Sequence, residues 1–255
     1  NPAPSYGGTL IVFLLKLLKQ IDGGINTFDL IKGMNLASKA RDEICTNPKE
    51  IDEISEILSN DIFKKYKKLF SLNKFDFAED TNGFGSTTHV SIIDSKGNAA
   101  SITTTNGEGC GSIIPDYGIM MNNMLGEVDI NPFGFHNWNI KRRLPTMISP
   151  IIITRNSKPE FVLGSGGSNR IRSANIQVIL NLLVKNLDLE NSINAPRLHL
   201  EGDTLFYEPG IEVPRIKHLK LNSFDNKNLF FGGVNGVSNT EAVGDQRRGG
   251  YGIIV

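Results

Sequence analysis

Two adjacent threonines, Thr87 and Thr88, lie where a polar, glycine-containing segment changes abruptly into a strand-like pattern. The polar segment ends at Ser86, and an alternating, β-branched run then continues to Ile93. A threonine hydroxyl is a poor nucleophile by itself. As the first residue of a chain, however, a threonine carries its own α-amine, whose pKa of about 7.7–8.0 suits a general base near neutral pH. Cleavage between Ser86 and Thr87 would therefore place a nucleophile and its base in one residue.

The same hydroxyl can also account for the cleavage. Attack of the Thr87 side chain on the Ser86 carbonyl carbon forms an ester that water then opens, so one arrangement serves both maturation and turnover. Threonine is also a common strand residue, and a pair of threonines at a strand start is usually only structural. The threonines alone therefore do not distinguish a catalyst from an ordinary hairpin.

A β-hairpin is predicted to hold these threonines. Residues 88–93 alternate and are β-branched, residues 94–98 are rich in turn formers, and residues 99–105 return as a second strand. Two strand-like runs with so short a separation favour an antiparallel pair.

The length of the hairpin loop decides which residue faces Thr87. A loop over residues 95–97, with Gly97 in the left-handed conformation, places Thr105 opposite Thr87. Directly opposed side chains have Cβ atoms about 4.5–5.5 Å apart, so the two hydroxyls are close enough to hydrogen-bond. A shorter loop would place Asn106 opposite Thr87 instead, and the threonine pair would be lost.

Six blocks of sequence, in order along the chain, resemble the γ-glutamyltransferase family of N-terminal nucleophile hydrolases. In that family the small subunit begins at the first threonine of a Thr-Thr-His-x-Ser motif, which matches Thr87 to Ser91 here. The blocks are Ser86–Asp94 with Gly97–Ala99, Gly118–Asn123, Arg143–Pro150, Gly164–Ile171, Ala195–Arg197 and Gly244–Gly250.

The resemblance implies an α/β fold, the four-layer αββα sandwich of N-terminal nucleophile hydrolases. Residues 1–86 correspond to the C-terminal part of the family's large-subunit region, mainly helical and ending in a flexible linker. Residues 87–255 correspond to the small-subunit catalytic region, which starts at the nucleophile Thr87. The opening residues 1–8 resemble a block well inside the large subunit, so we expect an upstream segment that this sequence lacks. After cleavage, the two parts are expected to form a heterodimer of large and small subunits.

The resemblance also implies roles around Thr87. Thr105 would orient the Thr87 hydroxyl, and Gly166 and Gly167 would form the oxyanion hole. Residues 164–168 follow a strand-like segment and precede a helical one, and consecutive glycines there let backbone N–H groups converge on an anion. A Gly-Ser-Gly sequence alone is usually a simple turn, so this role rests on the resemblance.

The segment that contacts the substrate in the family departs from the usual pattern here. Typical members have Asn-Asn-Gln/Glu-Met-Asp-Asp, whereas residues 122–127 read Asn-Asn-Met-Leu-Gly-Glu. By the resemblance, Asn123 would contact the substrate, and Glu127 takes the place of the acid that holds the substrate's α-amino group in the family. Met124 replaces a polar contact, and Gly107 stands where an asparagine is usual.

A second departure affects the carboxylate end of the substrate. The family commonly places two serines there to bind an α-carboxylate, and this chain has Thr146 followed by Met147. Thr146 retains one hydrogen-bonding hydroxyl, but Met147 has no donor. Arg142 and Arg143 are either a carboxylate-attracting pair or an ordinary surface pair.

The resemblance implies the function of a γ-glutamyltransferase-like proenzyme in glutathione metabolism. It would cleave itself before Thr87 and then transfer or hydrolyse a γ-glutamyl or similar acyl group of a small amide, with water or an amine as acceptor. One alternative is a related amidohydrolase or acylase with a different small amide substrate, favoured by Gly107, Met124 and Met147. Another is a non-catalytic relative or isolated fragment that serves as a structural or binding domain.

Composition argues against several other classes of protein. The 27 basic and 27 acidic residues balance, so neither a nucleic acid nor an anionic membrane is expected as a partner. The apolar run Leu10–Leu15 is shorter than the ~20 residues of a membrane span. The four histidines lack metal-ligand spacing, and residues 106–111 lack a nucleotide-binding glycine motif, so neither a metal nor a cofactor is expected.

Hydrophobic periodicity and breakers predict the remaining elements. Beside a buried helix at Leu10–Leu15, helices are predicted over residues 26–47, 50–69 and about 171–186, and strands over 160–163, 194–200, 204–207, 229–231 and 249–255.

Overall fold

A computed structural model describes residues 1, 4–44, 51–72, 75–77, 87–127, 130–131, 134, 136–137, 141 and 143–255. Ser86, Arg142 and most of the predicted linker before Thr87 lie outside these residues.

Helices and strands are distributed unevenly along the chain. The helices are α1 (Tyr6–Leu18), α2 (Thr27–Ile44), α3 (Asn60–Ser71), α4 (Arg170–Leu183) and α5 (Leu189–Asn194), and 3₁₀ segments lie at Ile51–Leu58, Met124–Gly126, Leu229–Phe231 and Gln246–Arg248. The strands are β1 (Thr87–Ile93), β2 (Ala99–Thr105), β3 (Ile113–Ile114), β4 (Ile119–Met120), β5 (Ile151–Arg155), β6 (Lys158–Gly166), β7 (Leu198–Glu201), β8 (Thr204–Tyr207), β9 (Lys220–Ser223), β10 (Gly233–Ser238) and β11 (Ala242–Val243).

The N-terminal part is helical, as predicted, but one predicted helix is divided. Helix α2 begins after Asn26, whose Oδ1 caps the helix by accepting the Asp29 N–H at 3.0 Å. The prediction of one helix over residues 50–69 is wrong, because the chain turns at Ser59. Ser59 has an extended backbone, and its hydroxyl accepts the Ile62 N–H at 3.5 Å, so it caps α3 instead of continuing the preceding 3₁₀ segment.

The predicted hairpin forms with the predicted register. Strands β1 and β2 are antiparallel, and Thr87 is the direct partner of Thr105. Gly97 has a φ of 83°, and the Asp94 N–H donates to the Asn98 carbonyl at 2.9 Å, which closes the loop over residues 95–97. The left-handed conformation of the loop therefore falls on a glycine, which adopts it without steric cost.

The hairpin packs on a four-stranded antiparallel sheet of order β11-β10-β6-β5. Ser101 links the two layers, because its hydroxyl donates to the Leu163 carbonyl at 3.2 Å and accepts the Ile151 N–H at 3.1 Å. Asn235 provides a second link by donating its side-chain amide to the His89 carbonyl at 3.0 Å. The hairpin that carries Thr87 is thus tied to β5, β6 and β10.

Helices cover the other face of this sheet. Leu163 and Val234 pack against the α4 residues Ala174 and Val178. The opposite side of α4 packs against α1 and α2 in a second apolar cluster that includes Ile11, Leu14, Ile31, Ile176 and Ile179. The layers are therefore hairpin, sheet, α4 with α5, and then the N-terminal helices. The chain has the predicted α/β class, and within the described residues its helices lie on one side of the two β layers.

Several predicted strands near the C-terminus differ from the structure. Residues 229–231 form a 3₁₀ turn, because Asn228 caps them by accepting the Phe230 N–H at 2.9 Å. Residues 249–255 are not a strand; they contain three glycines, which have low strand propensity. The strand predicted over residues 194–200 begins only at Leu198, because α5 extends to Asn194. Strand β10 was not predicted.

Neither a metal-binding cluster nor a membrane-spanning helix occurs among the described residues. Within them, histidine, cysteine, aspartate and glutamate side chains form no group of three that could hold a metal ion. None of the helices in that same part of the chain is long and apolar enough to cross a membrane. Cys110 is a free, exposed thiol.

Candidate active site

The hydroxyl groups of Thr87 and Thr105 meet across the hairpin. Thr87 Oγ1 donates a hydrogen bond to Thr105 Oγ1 at 2.9 Å, and the Gly107 N–H donates to the same oxygen at 3.0 Å. The strand register produces this contact, since the two threonines are direct partners. The predicted pairing is confirmed, while the role of Thr105 in orienting the Thr87 hydroxyl stays a prediction.

Gly166 lies directly against Thr87. A methyl group added at Gly166 would lie 2.2 Å from the Thr87 carbonyl oxygen and 3.0 Å from its carbonyl carbon, which is far inside van der Waals contact. Only a glycine at this position lets β6 approach the hairpin so closely. The structure therefore brings Gly166 to Thr87, while its role in binding an oxyanion stays a prediction.

Gly167 is equally restricted, but by a different neighbour. Its φ of 130° is rarely adopted by other residues, and a methyl group there would lie 2.8 Å from Gly232 Cα. Its carbonyl accepts the Arg170 N–H at 3.0 Å at the start of α4. The glycine pair therefore forms the tight connection between β6 and α4, with its first member beside Thr87.

Asn123 and Glu127 converge on Gly107, close to Thr105 in sequence. The Glu108 N–H donates to Asn123 Oδ1 at 2.6 Å, and a methyl group added at Gly107 would lie 2.3 Å from Asn123 Oδ1 and 2.6 Å from Glu127 Oε1. Acceptor oxygens thus occupy the space that a side chain would need at Gly107. A carboxylate beside an amide oxygen suits a cationic group such as an ammonium. The two predicted binding residues are brought together, and their ligand stays a prediction.

Thr146 lies at the N-terminus of α1. Its carbonyl accepts the N–H groups of Tyr6 at 2.9 Å and Gly7 at 3.2 Å, and its Oγ1 accepts the Ile148 N–H at 3.1 Å. The two carbonyl bonds tie Thr146 to α1, the hydroxyl bond is local, and none of these described bonds reaches Thr87. The structure does not join Thr146 to the other site residues through a described hydrogen bond, so its role in carboxylate binding stays a prediction.

Two methionines that replace polar residues of the family pattern pack into the apolar core. Met147 is buried, and Met124 packs partly buried against the same cluster, which includes Tyr6 and Leu10. Their side chains are therefore accounted for by packing. A polar ligand cannot obtain a hydrogen-bond donor from either of them.

His89 lies in the strand that carries Thr87. Its ring is buried between one hydroxyl group from the same strand and one from β2. Its Nδ1 lies 2.7 Å from Thr103 Oγ1 and its Nε2 lies 2.8 Å from Ser91 Oγ. Burial lowers the pKa of His89 to about 4, because the charged ring would lose its hydration. A methyl group added at Gly164 would lie 2.4 Å from the ring, so this glycine makes room for it. His89 is therefore a neutral bridge between strands and not a proton acceptor at neutral pH.

A large concavity among the described residues lies beside the hairpin and not over Thr87. It has a volume of about 1180 Å³ and is lined mainly by residues 89–97, 235–239 and 251–255. Neither Thr87 nor Glu127 is among its lining residues. The candidate active site is therefore identified by side-chain geometry and not by cavity size.

A family model described as gamma-glutamyltranspeptidase matches residues 1–255. The chain belongs to the gamma-glutamyltranspeptidase family. This match covers both the helical N-terminal part and the part that starts at Thr87.

Curated relatives align with about half to nine-tenths of the chain. The glutathione hydrolase proenzyme of Bacillus subtilis strain 168 is 27% identical over 262 residues, which cover 89% of this chain and 44% of the relative. The glutathione hydrolase proenzyme of Escherichia coli K12 is 28% identical over 249 residues, or 86% of this chain and 43% of the relative. The acylase ACY 1 proenzyme of Pseudomonas sp. SE83 is 33% identical over 127 residues, or 49% of this chain and 23% of the relative. The chain spans less than half the length of these relatives.

Solved structures agree with the family assignment. A gamma-glutamyltranspeptidase chain from Pseudomonas nitroreducens, complexed with L-DON, superposes with a TM-score of 0.55 at 27% identity, covering 66% of this chain and 99% of that one. Cephalosporin acylase from Bacillus halodurans superposes with a TM-score of 0.73 over 98% of this chain and 49% of that one. At 20% identity, the second likeness shows the shared fold alone.

Sequence reasoning missed a buried ion network that anchors the C-terminal part of this transpeptidase-family chain. Arg247 Nη2 pairs with Glu208 Oε2 at 2.6 Å, and Arg197 Nη2 pairs with Asp245 Oδ2 at 2.6 Å. Burial alone would raise the pKa of Asp245, but Arg197 and Arg247 hold it below its ordinary value. The block Gly244–Gly250 was noticed in the sequence, but nothing local identifies partners so far away in the chain.

The neutral state of His89 predicts a specific dependence of stability on pH. Because the folded pKa lies below the unfolded value of about 6.5, the unfolded chain binds the extra proton first as the pH falls. The free energy of unfolding contributed by this group is therefore complete above about pH 6.5 and decreases toward pH 4. Burial lowers the pKa of His199 as well, so it acts in the same direction.

Urea denaturation at pH 7.5, 5.5 and 4.5 measures this effect. His89→Gln, which keeps a hydrogen-bonding side chain but does not titrate, is expected to lose less stability over that range than the wild type. An equal loss in both proteins would contradict the assignment to His89.

Proposed function

We propose that this chain is the catalytic part of a gamma-glutamyltranspeptidase-type proenzyme that cleaves itself between Ser86 and Thr87. The mature enzyme transfers or hydrolyses a γ-glutamyl or similar acyl group through an acyl ester on Thr87. The observation that carries the proposal is the hydrogen bond from Thr87 Oγ1 to Thr105 Oγ1, at 2.9 Å, beside Gly166.

The reaction uses the free α-amine that cleavage creates. This amine takes the proton from Thr87 Oγ1 as the oxygen attacks the acyl carbon of the substrate. The carbonyl oxygen becomes negatively charged, and the N–H groups of Gly166 and Gly167 stabilise it. The amine then returns the proton to the leaving nitrogen, the C–N bond breaks, and an ester remains on Thr87. Water or an amine attacks this ester and releases the threonine.

In this proposal residues 1–86 belong to the C-terminal part of the large subunit, and residues 87–255 form the small-subunit region. Helix α1, from the first part, shares apolar clusters with α4, from the second. Burial of about 25 cal/mol per Å² of apolar surface holds such clusters together independently of the peptide bond that is cut. The subunits therefore remain a heterodimer after cleavage.

A γ-glutamyl group supplies the charges that the site is suited to bind. Its α-ammonium is held by Glu127 and Asn123, the two acceptors that meet at Gly107, and Thr146 is proposed for the α-carboxylate. The alternative substrate is a different small amide, handled as by an acylase. It is favoured by Met124 and Met147, which pack in the core and offer no donor.

A substrate panel on the full-length protein separates these two substrates. Turnover of γ-glutamyl-p-nitroanilide but not of p-nitroanilides with uncharged acyl groups is expected. Turnover of the uncharged compounds alone would assign the acylase alternative.

Both alternatives require a cut protein. Mass spectrometry of the two pieces should place their ends at Ser86 and Thr87.

Glu127→Gln is expected to raise KM for γ-glutamyl-p-nitroanilide by about 10–100-fold, because a hydrogen bond to a charged group contributes about 1.5–3 kcal/mol. The value of kcat should change little, since Glu127 does not touch the reacting bond. The matched control is Glu160→Gln, a partly exposed acid paired with Arg155 at 2.8 Å on the β5–β6 hairpin. A KM that stays within about twofold of the wild type in Glu127→Gln would remove Glu127 from the binding site.

A further inference from the structure

Arg248 is the last residue of a short 3₁₀ turn. The residue before it, Arg247, belongs to the buried ion network. Asp245 caps the turn Gln246–Arg248 by accepting the Arg247 N–H at 3.0 Å. Arg247 then pairs with Glu208 and donates to the Asp245 carboxylate at 3.3 Å. Arg247 is thus held by ion pairs and hydrogen bonds. These contacts fix the backbone from which the Arg248 side chain extends.

The stem of Arg248 lies on the same face of the sheet as Thr87. A methyl group added at Gly233 would lie 2.9–3.0 Å from Cβ, Cγ and Cδ of Arg248, whereas one added at Gly166 would meet the Thr87 carbonyl oxygen. Gly233 and Gly166 are direct partners in the sheet. Directly opposed residues project to one face, with Cβ positions about 4.5–5.5 Å apart. Arg248 and Thr87 are therefore neighbours, one over each strand.

The guanidinium of Arg248 extends to the second glycine of the pair. Its Nη2 lies 3.5 Å from the position that a methyl group would take at Gly167. Burial, reinforced by the positive charge of Arg170 and opposed by Asp245, lowers the pKa of Arg248 from its ordinary value. An arginine remains cationic at neutral pH all the same, and a partly buried cation is screened less than an exposed one. The positive charge of Arg248 therefore lies beside Gly167, and its aliphatic stem lies on the face of the sheet that Thr87 contacts.

We propose that Arg248 is a positioning residue for the acyl-transfer step: it supports the Gly167 backbone and adds positive potential where the acyl oxygen becomes negatively charged. This inference rests on the proposed function, since it requires Thr87 to be the nucleophile. Arg248 neither gives nor takes a proton in the step. Fixed charges and dipoles that face a developing charge are often the largest contribution to catalysis.

The test compares three variants of the full-length, cut protein. Arg248→Met removes the charge but keeps most of the stem, Arg248→Lys keeps a charge, and Arg155→Met removes an exposed arginine elsewhere on the sheet. The measurements are the rate of acylation in the first turnover of the best p-nitroanilide of the panel, KM, and the thermal unfolding midpoint. We expect acylation to fall about 10–100-fold in Arg248→Met, with KM within about threefold and an unchanged midpoint. Arg248→Lys should recover a substantial part of the rate, and Arg155→Met should match the wild type.

The other outcomes are distinct from one another. Acylation within about twofold of the wild type in a cut Arg248→Met protein would overturn the inference and leave the proposed function intact. A loss of rate that follows a loss of thermal stability in both Arg248 variants would assign Arg248 a structural role and also overturn the inference. A wild-type protein that stays uncut and turns over no compound of the panel would overturn the proposed function, and the inference with it.

Discussion

Thr87→Ala is expected to leave the protein as one uncut chain and to lower acyl transfer by at least about 10⁴-fold, because removal of a nucleophile eliminates the covalent route. The alanine lacks the hydroxyl that attacks the Ser86 carbonyl, so neither the new chain end nor its α-amine forms. Denaturing gel electrophoresis of the protein from the full-length gene measures the first effect. Release of p-nitroaniline measures the second.

Thr88→Ala is the matched control for this substitution. Thr88 is the next residue of β1 and is exposed, and its strand partner is Thr104. Successive strand residues point to opposite faces, so this hydroxyl faces away from Thr105. Thr88→Ala should be cut and active. A Thr87→Ala protein that is still cut at the same bond would refute the nucleophile assignment, and a wild type that never splits would favour a non-catalytic relative.

Gly166→Ala is expected to lower kcat by at least about 10²–10³-fold, the typical cost of one lost oxyanion donor. The added methyl group would meet the Thr87 carbonyl oxygen at 2.2 Å, so either β6 or the hairpin must shift. That shift moves the Thr87 hydroxyl relative to the glycine N–H groups. Steady-state kinetics on the cut protein, together with the thermal unfolding midpoint, separate the catalytic effect from lost stability.

Gly111→Ala provides the comparison. Gly111 has open space around the position of a methyl group, although its φ of 79° makes alanine unfavourable there by roughly 1–2 kcal/mol. It should therefore lose some stability but little kcat. Equal kcat values for Gly166→Ala and the wild type would show that the approach of β6 to Thr87 is not required for catalysis.

The hairpin could be predicted from sequence because its determinants are local. The loop over residues 95–97, with Gly97 left-handed, sets the register, and the register pairs Thr87 with Thr105. The meeting of Thr87 with Gly166 could not be derived in this way. It depends on packing between strands far apart in the chain, so only the family resemblance indicated it.

Two of the elements that were predicted wrongly or missed have different physical origins. Strand β10 contains Gly233, Asn235 and Gly236, which have low strand propensity, yet it pairs with β6 and β11 in the sheet. The apolar run at residues 229–231 has high strand propensity but turns, because Asn228 caps it. A tertiary contact decides the first case, and in the second a local cap from Asn228 outweighs the strand propensity of the apolar run.

The apolar clusters that α1 shares with α4 have a consequence for heat treatment of the enzyme. In the uncut precursor, melting and refolding are events within one molecule. In the proposed cut form, melting lets the two polypeptides diffuse apart, and recovery on cooling requires them to associate again. Thermal inactivation should therefore be largely reversible for the Thr87→Ala precursor, and concentration-dependent and largely irreversible for the mature heterodimer.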